Sequence, residues 1–82
     1  MFMRTHKEGR METALPSAQS IGALIKTERQ RQGLSQIELA GLSGVGITFL
    51  SQLENGKKTA EVGKVLTVLA TLGIDLYGRR RG

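Results

Sequence analysis

Side chains that could do covalent or metal chemistry are scarce in this sequence. It contains no Cys and only one His, His6, so it cannot supply a thiolate or a cluster of imidazoles to a metal ion or a nucleophilic reaction. No Ser/His/Asp, Cys/His or paired-carboxylate set can be assembled from the remaining residues. We therefore expect no catalytic residue, no bound metal and no cofactor.

The Gly44-Val45-Gly46 segment is the one stretch with the glycine spacing of a phosphate-binding loop. A dinucleotide-binding loop needs a third spaced glycine, and a loop that cradles a nucleoside triphosphate continues into Gly-Lys-Ser or Gly-Lys-Thr. Neither continuation is present. The two glycines are better explained by a tight corner in the backbone, because a glycine bends where a Cβ would resist.

Charge is the property that points to a partner. The chain carries 12 Lys and Arg against 7 Asp and Glu, a formal net charge of +5, and its pI is about 10.3. This balance suits a polyanion, although charge alone does not identify a nucleic acid. No stretch approaches the roughly 18 apolar residues of a membrane span, and no secretory signal is recognisable. We expect a soluble cytoplasmic protein.

The chain length of 82 residues allows a single hydrophobic core. Domains below about 80 residues often add a disulfide, a metal or a second subunit to reach adequate stability. Because disulfides and metal sites are disfavoured here, self-association remains as the source of additional stability. We predict a leader over residues 1–16, a folded domain over 17–73, and a strand with a basic tail over 74–82.

Residues 1–16 show no helical or strand period and mix both charge signs, so we interpret them as a mobile leader. Met11 offers a second possible start of translation. The functional alternative is a basic arm built from Arg4, Lys7 and Arg10. Two glutamates in the same stretch cancel most of that charge, which favours the simple leader.

Helical periodicity begins at Ser17 and indicates an amphipathic helix that ends at Gly33. Its apolar face carries Ile21, Leu24 and Ile25, and its other face carries Lys26, Glu28, Arg29 and Arg31. A second, short helix follows. Ser35 can cap its first turn while Glu38, three residues further on, reaches back to the Ser35 amide.

A third helix of about two turns is predicted over residues 47–54, because Asn55-Gly56 stops it. The fourth helix has the longest apolar stripe in the chain and is expected to supply most of the core. The stripe consists of Val62, Val65, Leu66, Leu69 and Leu72. Gly73 closes this helix, and the alternation that follows predicts one short strand.

Two short helices joined by a glycine corner, with a helix before them and another behind, allow one helix to project from a compact bundle. The major groove of B-form DNA is about 12 Å wide and admits one α-helix, provided that the body behind it stays clear of the phosphates. Ala40 and Gly44 are small enough for the close packing and the bend that this geometry needs. The arrangement favours DNA binding.

The segment LSQIELAGLSGVGITFLSQLENGKK, residues 34–58, resembles the phage-repressor-like, or Xre-type, helix-turn-helix family. The similarity is carried by Leu-Ser-Gln at the second helix, by the Ala-x-x-x-Gly corner and by Leu-Glu-Asn-Gly-Lys at the end of the third helix. It extends over most of the folded part, from Ile21 to about Leu72. It implies an all-α, four- to five-helix lambda-repressor-like DNA-binding domain and a transcriptional repressor.

The same resemblance implies roles for individual residues. Gln36 corresponds to a glutamine that bonds a phosphate and reaches toward bases. The recognition helix and the loop behind it place these residues on the DNA: Gly46, Ile47, Thr48, Ser51, Gln52, Asn55, Lys57 and Lys58. The chemistry is suitable, because Gln can pair bidentately with adenine, Thr and Ile methyl groups can meet a thymine methyl, and lysines neutralise phosphates.

Two departures from the family pattern leave alternatives open. Ile47 stands where a long polar or basic side chain is common, and Gly46 replaces the usual Ser or Thr cap. An interaction-only adaptor that has lost DNA binding is therefore a second reading. An RNA-binding module is disfavoured, because we find no exposed aromatic pair, among only three aromatic residues, on which bases could stack.

The C-terminal strand predicted at residues 74–79 needs a partner, because a lone strand cannot satisfy its own backbone groups. We expect it to pair antiparallel with its own copy across a two-fold axis, burying Ile74 and Leu76 with Tyr77 at a homodimer interface. Two recognition helices would then lie about 34 Å apart, matching a palindromic operator in double-stranded DNA. The alternative is a frayed tail whose arginines only add solubility.

The helix-turn-helix followed by GKVLTVLATLGIDLYGRR is most similar to HipB-like antitoxins, the DNA-binding partners of HipA-type kinase toxins. This resemblance implies a second partner, a kinase toxin that is held inactive, and autoregulation of the shared operon. A stand-alone phage-type regulator is the alternative. The residues themselves do not reveal a toxin interface.

Overall fold

The computed structural model describes residues 2–5, 11–14, 17–78 and 80. Its elements, in chain order, are β1 (Phe2–Thr5), β2 (Met11–Ala14), α1 (Ala18–Arg31), α2 (Gln36–Ser43), α3 (Ile47–Glu54), α4 (Val62–Thr71) and β3 (Ile74–Tyr77). The mostly helical class, with four helices and a short C-terminal strand, is confirmed. Within the described part of the chain, no helix is long and apolar enough to cross a membrane.

The first turns of α1 and α2 are stabilised by serine caps, of which the cap at Ser35 is the predicted one. The Ser17 hydroxyl accepts a hydrogen bond from the Ser20 N–H at 3.2 Å. At α2, the Ser35 hydroxyl accepts from the Glu38 N–H at 3.0 Å, and the Glu38 carboxylate accepts from the Ser35 N–H at 2.9 Å. The hydrogen bond from the Ser35 N–H, together with the neighbouring Ser35 hydroxyl, favours the ionised carboxylate and lowers the pKa of Glu38 below its ordinary value.

Glycines in the left-handed conformation follow all four helices. Gly33 has a φ of +74°, Gly44 of +70°, Gly56 of +84° and Gly73 of +76°. A residue with a Cβ is strained in this region, whereas glycine enters it freely. The predicted ends of these helices are therefore confirmed to within a residue or two.

The core is built by one face of each helix, together with the first residue of β3. Its buried members are Ile25, Leu39, Ala40, Leu50, Leu53, Val65, Val68, Leu69, Leu72 and Ile74. The stripe predicted for α4 is wrong at two positions, because Val62 is 69% exposed and Leu66 is 44% exposed. The buried face instead follows Val65, Val68, Leu69 and Leu72, an equally regular i, i+3, i+4, i+7 pattern that the sequence contains as well.

The three strands form one antiparallel sheet in the order β2-β1-β3. β1 lies between the other two, and its register with β3 pairs Phe2 with Tyr77 and Thr5 with Ile74. The interpretation of residues 1–16 as a leader without regular structure is therefore wrong for 2–5 and 11–14. The sequences FMRT and META do not alternate apolar and polar residues, so they show no strand period. β3 gains a partner from its own chain.

The position of Ile74 contradicts the expectation that its side chain is buried at a dimer interface. Ile74 is only 3% exposed and packs inside the core of its own chain, so it is not left for a partner. Leu76 packs against the same core and, like Tyr77, is half-buried. The strand ends at Tyr77 rather than at residue 79. Two residues of the alternative basic arm, Lys7 and Arg10, lie outside the described residues.

Candidate nucleic-acid interface

Helix α3 is held with one face in the core and the opposite face toward solvent. Leu50 and Leu53 are buried, whereas Ile47, Thr48 and Gln52 are exposed. Because an α-helix repeats every 3.6 residues, burying positions 50 and 53 directs positions 48 and 52 outward. Ile47, in the first turn at the edge of the buried face, is 44% exposed. Ser51 is half-buried on the flank of the exposed face. The structure thus brings the residues predicted for α3 onto one accessible surface.

The loop after α3 extends this surface with polar and basic groups. Asn55, Lys57 and Lys58 are all exposed. The Lys57 ammonium donates a hydrogen bond to Oε1 of Gln52 at 3.0 Å, so this loop lies directly beside the exposed face of α3. Lys64, from α4, lies 5.5 Å from the centre of the half-buried Phe49 ring and adds a further positive charge near α3.

A close contact between α1 and the end of α3 fixes how far α3 projects. A Cβ placed on Gly22 would lie 2.3 Å from the Leu53 carbonyl oxygen and 3.0 Å from that of Glu54. Only a residue without a side chain permits this approach. Sequence reasoning missed Gly22, although an isolated glycine inside an amphipathic helix is a signal of close packing.

A buried ion pair ties α1 to α3. The Arg29 Nε donates to Oε2 of Glu54 at 2.7 Å and its Nη2 donates to Oε1 at 3.1 Å, while its Nη1 donates to the Leu34 carbonyl at 2.7 Å. The side chains of Arg29 and Glu54 are 9% and 2% exposed. The placement of Arg29 on a solvated face is therefore wrong. The same holds for Glu28, which is buried and pairs with Arg31.

Gln36 joins this ion pair at the start of α2. Its Nε2 donates a hydrogen bond to Oε1 of Glu54 at 3.2 Å, and its side chain is half-buried. One N–H of the amide is thereby used inside the protein, and the second N–H and the carbonyl oxygen are left for an external partner. Helices α1, α2 and α3 thus share one polar junction, which positions Gln36 next to the exposed surface of α3.

The N-terminus of α3 differs from those of α1 and α2. Gly46 is its N-cap and supplies no side-chain hydrogen bond. Gly46 is exposed, and a Cβ at this position would meet no atom within 4 Å. Nothing steric therefore requires glycine here.

Among the described residues, no group of three or more His, Asp or Glu is placed to hold a metal ion.

The fold and the exposed helix define a helix-turn-helix DNA-binding transcription regulator. The chain belongs to the Helix-turn-helix family HTH_3, which it matches over residues 25–78. It is 49% identical over 75 residues to an uncharacterized HTH-type transcriptional regulator, y4mF, of Sinorhizobium fredii, and the match covers 87% of this chain and 99% of that protein.

Solved structures share the fold. A HipB-O4 20mer complex and a HipA-HipB-O2-O3 complex each contain a chain that superimposes with a TM-score of 0.77 at 21% sequence identity. In both comparisons the match covers 85% of this chain and 99% of the other. At this identity the similarity establishes a common architecture, and the resemblance to HipB-like proteins is confirmed at that level.

Proposed function

We propose that this protein is a sequence-specific transcriptional repressor that inserts α3 into the major groove of its operator. The observation that carries the proposal is the exposed face of α3, with Gln52 in contact with Lys57 and with Lys58 close by. An α-helix with its side chains is about 10–12 Å across, which fits the major groove, and the eight residues of α3 supply about two turns to lie in it. The net charge of +5 favours approach to DNA.

In this proposal the surface divides into positioning and reading groups. Lys57 lies beside the reading face of α3, bonded to Gln52. Gln36 donates its remaining amide N–H to a phosphate, and Lys58 and Asn55 contact the sugar-phosphate backbone behind α3. These groups fix the register without reading sequence. On α3, Thr48 and Ile47 offer methyl groups to thymine, Gln52 reaches base edges, and Ser51 and the Gly46 N–H lie at the margin of the groove.

DNA binding is tested by selecting duplexes from a random pool and titrating salt. We expect affinity for the selected duplex to fall steeply with salt, and Lys58→Met to reduce the slope of log K against log salt by about 1. Lys26→Met removes an exposed lysine of α1 outside the proposed surface and serves as the matched control, with little change in slope. Absence of any selected sequence, with equally weak binding to all duplexes, would refute the proposal and leave the adaptor reading.

We propose in addition that the repressor is a homodimer. In the described sheet, β3 is an edge strand with β1 on one side, so its other edge is able to pair with a second copy. On α4, which leads into β3, Val62 and Leu66 lie four residues apart on one exposed apolar face. A two-fold partner would cover this face and the strand edge together, with Leu76 and Tyr77 at the margin.

The dimer is tested at Leu66, because a charge at buried Ile74 would unfold the monomer. Sedimentation equilibrium should show a dimer for the parent chain and a folded monomer for Leu66→Glu. Leu42→Glu, a matched change at an exposed leucine of α2, should stay dimeric. A parent chain that is monomeric at tens of micromolar contradicts the dimer without contradicting DNA binding.

Finally, we propose that the repressor is a HipB-like antitoxin that neutralises a HipA-type kinase toxin and autoregulates their operon. The support is the architecture shared with chains of the HipB-O4 20mer complex and the HipA-HipB-O2-O3 complex, including similarity over 99% of those chains. Co-expression with a HipA-type kinase encoded beside the gene should give a stable complex and relieve kinase toxicity. The upstream DNA of the same operon should be bound. Binding of that DNA without any kinase partner would identify a stand-alone repressor.

A further inference from the structure

Resting on the proposed DNA-binding function, we propose that Lys57 determines which base Gln52 reads. Lys57 holds the amide of Gln52 by its carbonyl oxygen, so that the pair presents hydrogen-bond donors to the groove and selects guanine over adenine. Gln52 is thus a base-reading residue and Lys57 the residue that sets its specificity.

The turn that ends helix α3 brings Lys57 next to Gln52. Gly56 adopts a φ of +84° and turns the backbone back along the helix. Its N–H donates to the Leu53 carbonyl at 3.0 Å, and the Lys57 N–H donates to the Gln52 carbonyl at 3.1 Å. This is the double hydrogen-bond pattern of a Schellman motif, and it anchors the Lys57 backbone to Gln52.

The side chains of Lys57 and Gln52 are joined by a hydrogen bond as well. The Lys57 ammonium donates to Oε1 of Gln52 at 3.0 Å. Gly56 itself is held against α1, since a Cβ there would lie 2.8 Å from Cγ of Gln19. The turn that brings Lys57 to Gln52 is therefore packed into the fold, and the two side chains begin from a fixed mutual position.

This hydrogen bond decides the direction of the Gln52 amide. A glutamine amide has one acceptor end, the carbonyl oxygen, and one donor end, the NH2 group. With the ammonium on Oε1, one of the two lone pairs of the carbonyl oxygen is used and a positive charge lies beside the other, so the NH2 group is the end that faces a base most favourably. The ammonium keeps two further N–H donors. The Gln52–Lys57 pair is consequently a positively charged surface on which donors predominate.

A surface on which hydrogen-bond donors predominate can distinguish guanine from adenine. In the major groove guanine presents two acceptors, O6 and N7, whereas adenine presents the acceptor N7 beside the donor N6 amino group. The bidentate pairing of glutamine with adenine needs its carbonyl oxygen at that amino group. With Lys57 in place, the adenine amino group would meet the ammonium, whereas guanine accepts from both the amide and the ammonium.

The test compares base preference in the full-length protein and three variants. The position read by Gln52 is first identified as the one whose preference Gln52→Ala abolishes in duplexes selected by the parent chain. We expect guanine to be preferred there by about tenfold over adenine. Lys57→Met should reverse that preference toward adenine, because the released carbonyl oxygen can then accept from the adenine amino group, and should leave the other positions unchanged.

Lys58→Met is the matched control, because it removes an adjacent exposed lysine that, among the described contacts, does not reach Gln52. It should weaken all duplexes alike and keep the guanine preference. Three results overturn the inference: adenine preferred by the parent chain, a Lys57→Met variant that loses affinity equally for every base, or a Gln52→Ala variant with unchanged preferences. Each of these leaves sequence-specific binding intact, whereas a parent chain that selects no sequence overturns the proposed function as well. Circular dichroism melts confirm that each surface variant is folded.

Discussion

Replacing Gly22 by alanine should change the free energy of unfolding through two effects of opposite sign. Alanine is the better helix former by about 1 kcal/mol, so the change would stabilise an isolated α1. In the folded protein the new Cβ would lie 2.3 Å from the Leu53 carbonyl oxygen and 3.0 Å from the Glu54 carbonyl oxygen. Both obstacles are backbone atoms, which cannot rotate away, so α1 and α3 must move apart.

The magnitude follows from that contact. Relieving it requires a helix displacement of about 1 Å, and overpacking of this kind costs about 1–3 kcal/mol, occasionally more. Because the clash is with backbone, we expect the upper end of this range. After the gain in helix propensity, the free energy of unfolding should fall by about 2 kcal/mol. For a domain of this size, the midpoint temperature should fall by about 10 °C.

The assay is urea unfolding followed by circular dichroism, with DNA affinity measured where the variant is folded. Gly41→Ala is the matched control, because Gly41 lies inside α2 and a Cβ there meets nothing within 4 Å. It should raise the free energy of unfolding by about 0.5–1 kcal/mol. Gly22→Ala should also weaken operator binding, since α3 moves. If both substitutions stabilise the protein equally, the proposed close approach of α1 to α3 is refuted.

Two further predictions concern charged groups. Arg29→Met should lower the free energy of unfolding by about 3–5 kcal/mol in urea titrations, because it leaves the Glu54 carboxylate buried without its cation. Combining Arg29→Met with Glu54→Leu should recover much of this loss. Equal losses in the single and double variants would count against the ion-pair argument. Glu38 has a folded-state pKa below its ordinary value of 4.5, so its stabilising contribution is present above that value and disappears as the pH falls through the lower folded-state pKa. The stability difference between the parent chain and Glu38→Gln should therefore be constant from pH 5 to 7 and shrink below about pH 4, and a difference that grows on acidification would contradict the assigned hydrogen bonds.

The ends of the helices and the helix-turn-helix arrangement could be predicted from the sequence, because their causes are local. Ser35 and Glu38 cap α2 across three residues, and Gly33, Gly44 and Gly56 act at their own backbone positions. The outward positions of Thr48 and Gln52 on α3 follow from the spacing of its buried leucines. Such features need only a few neighbouring residues, so the chain specifies them before any tertiary contact forms.

Only the tertiary structure decided which residues meet across the chain. Arg29 and Glu54 are 25 positions apart, Gly22 faces the Leu53 carbonyl 31 positions away, and β1 pairs with β3 at the opposite end of the sequence. Amphipathic periodicity identifies an apolar face but leaves its rotation open, which is why Val62 and Leu66 were assigned to the core while Val68 occupies it. These outcomes depend on the combined packing of all four helices, and the energy that selects them is absent from any short segment taken alone.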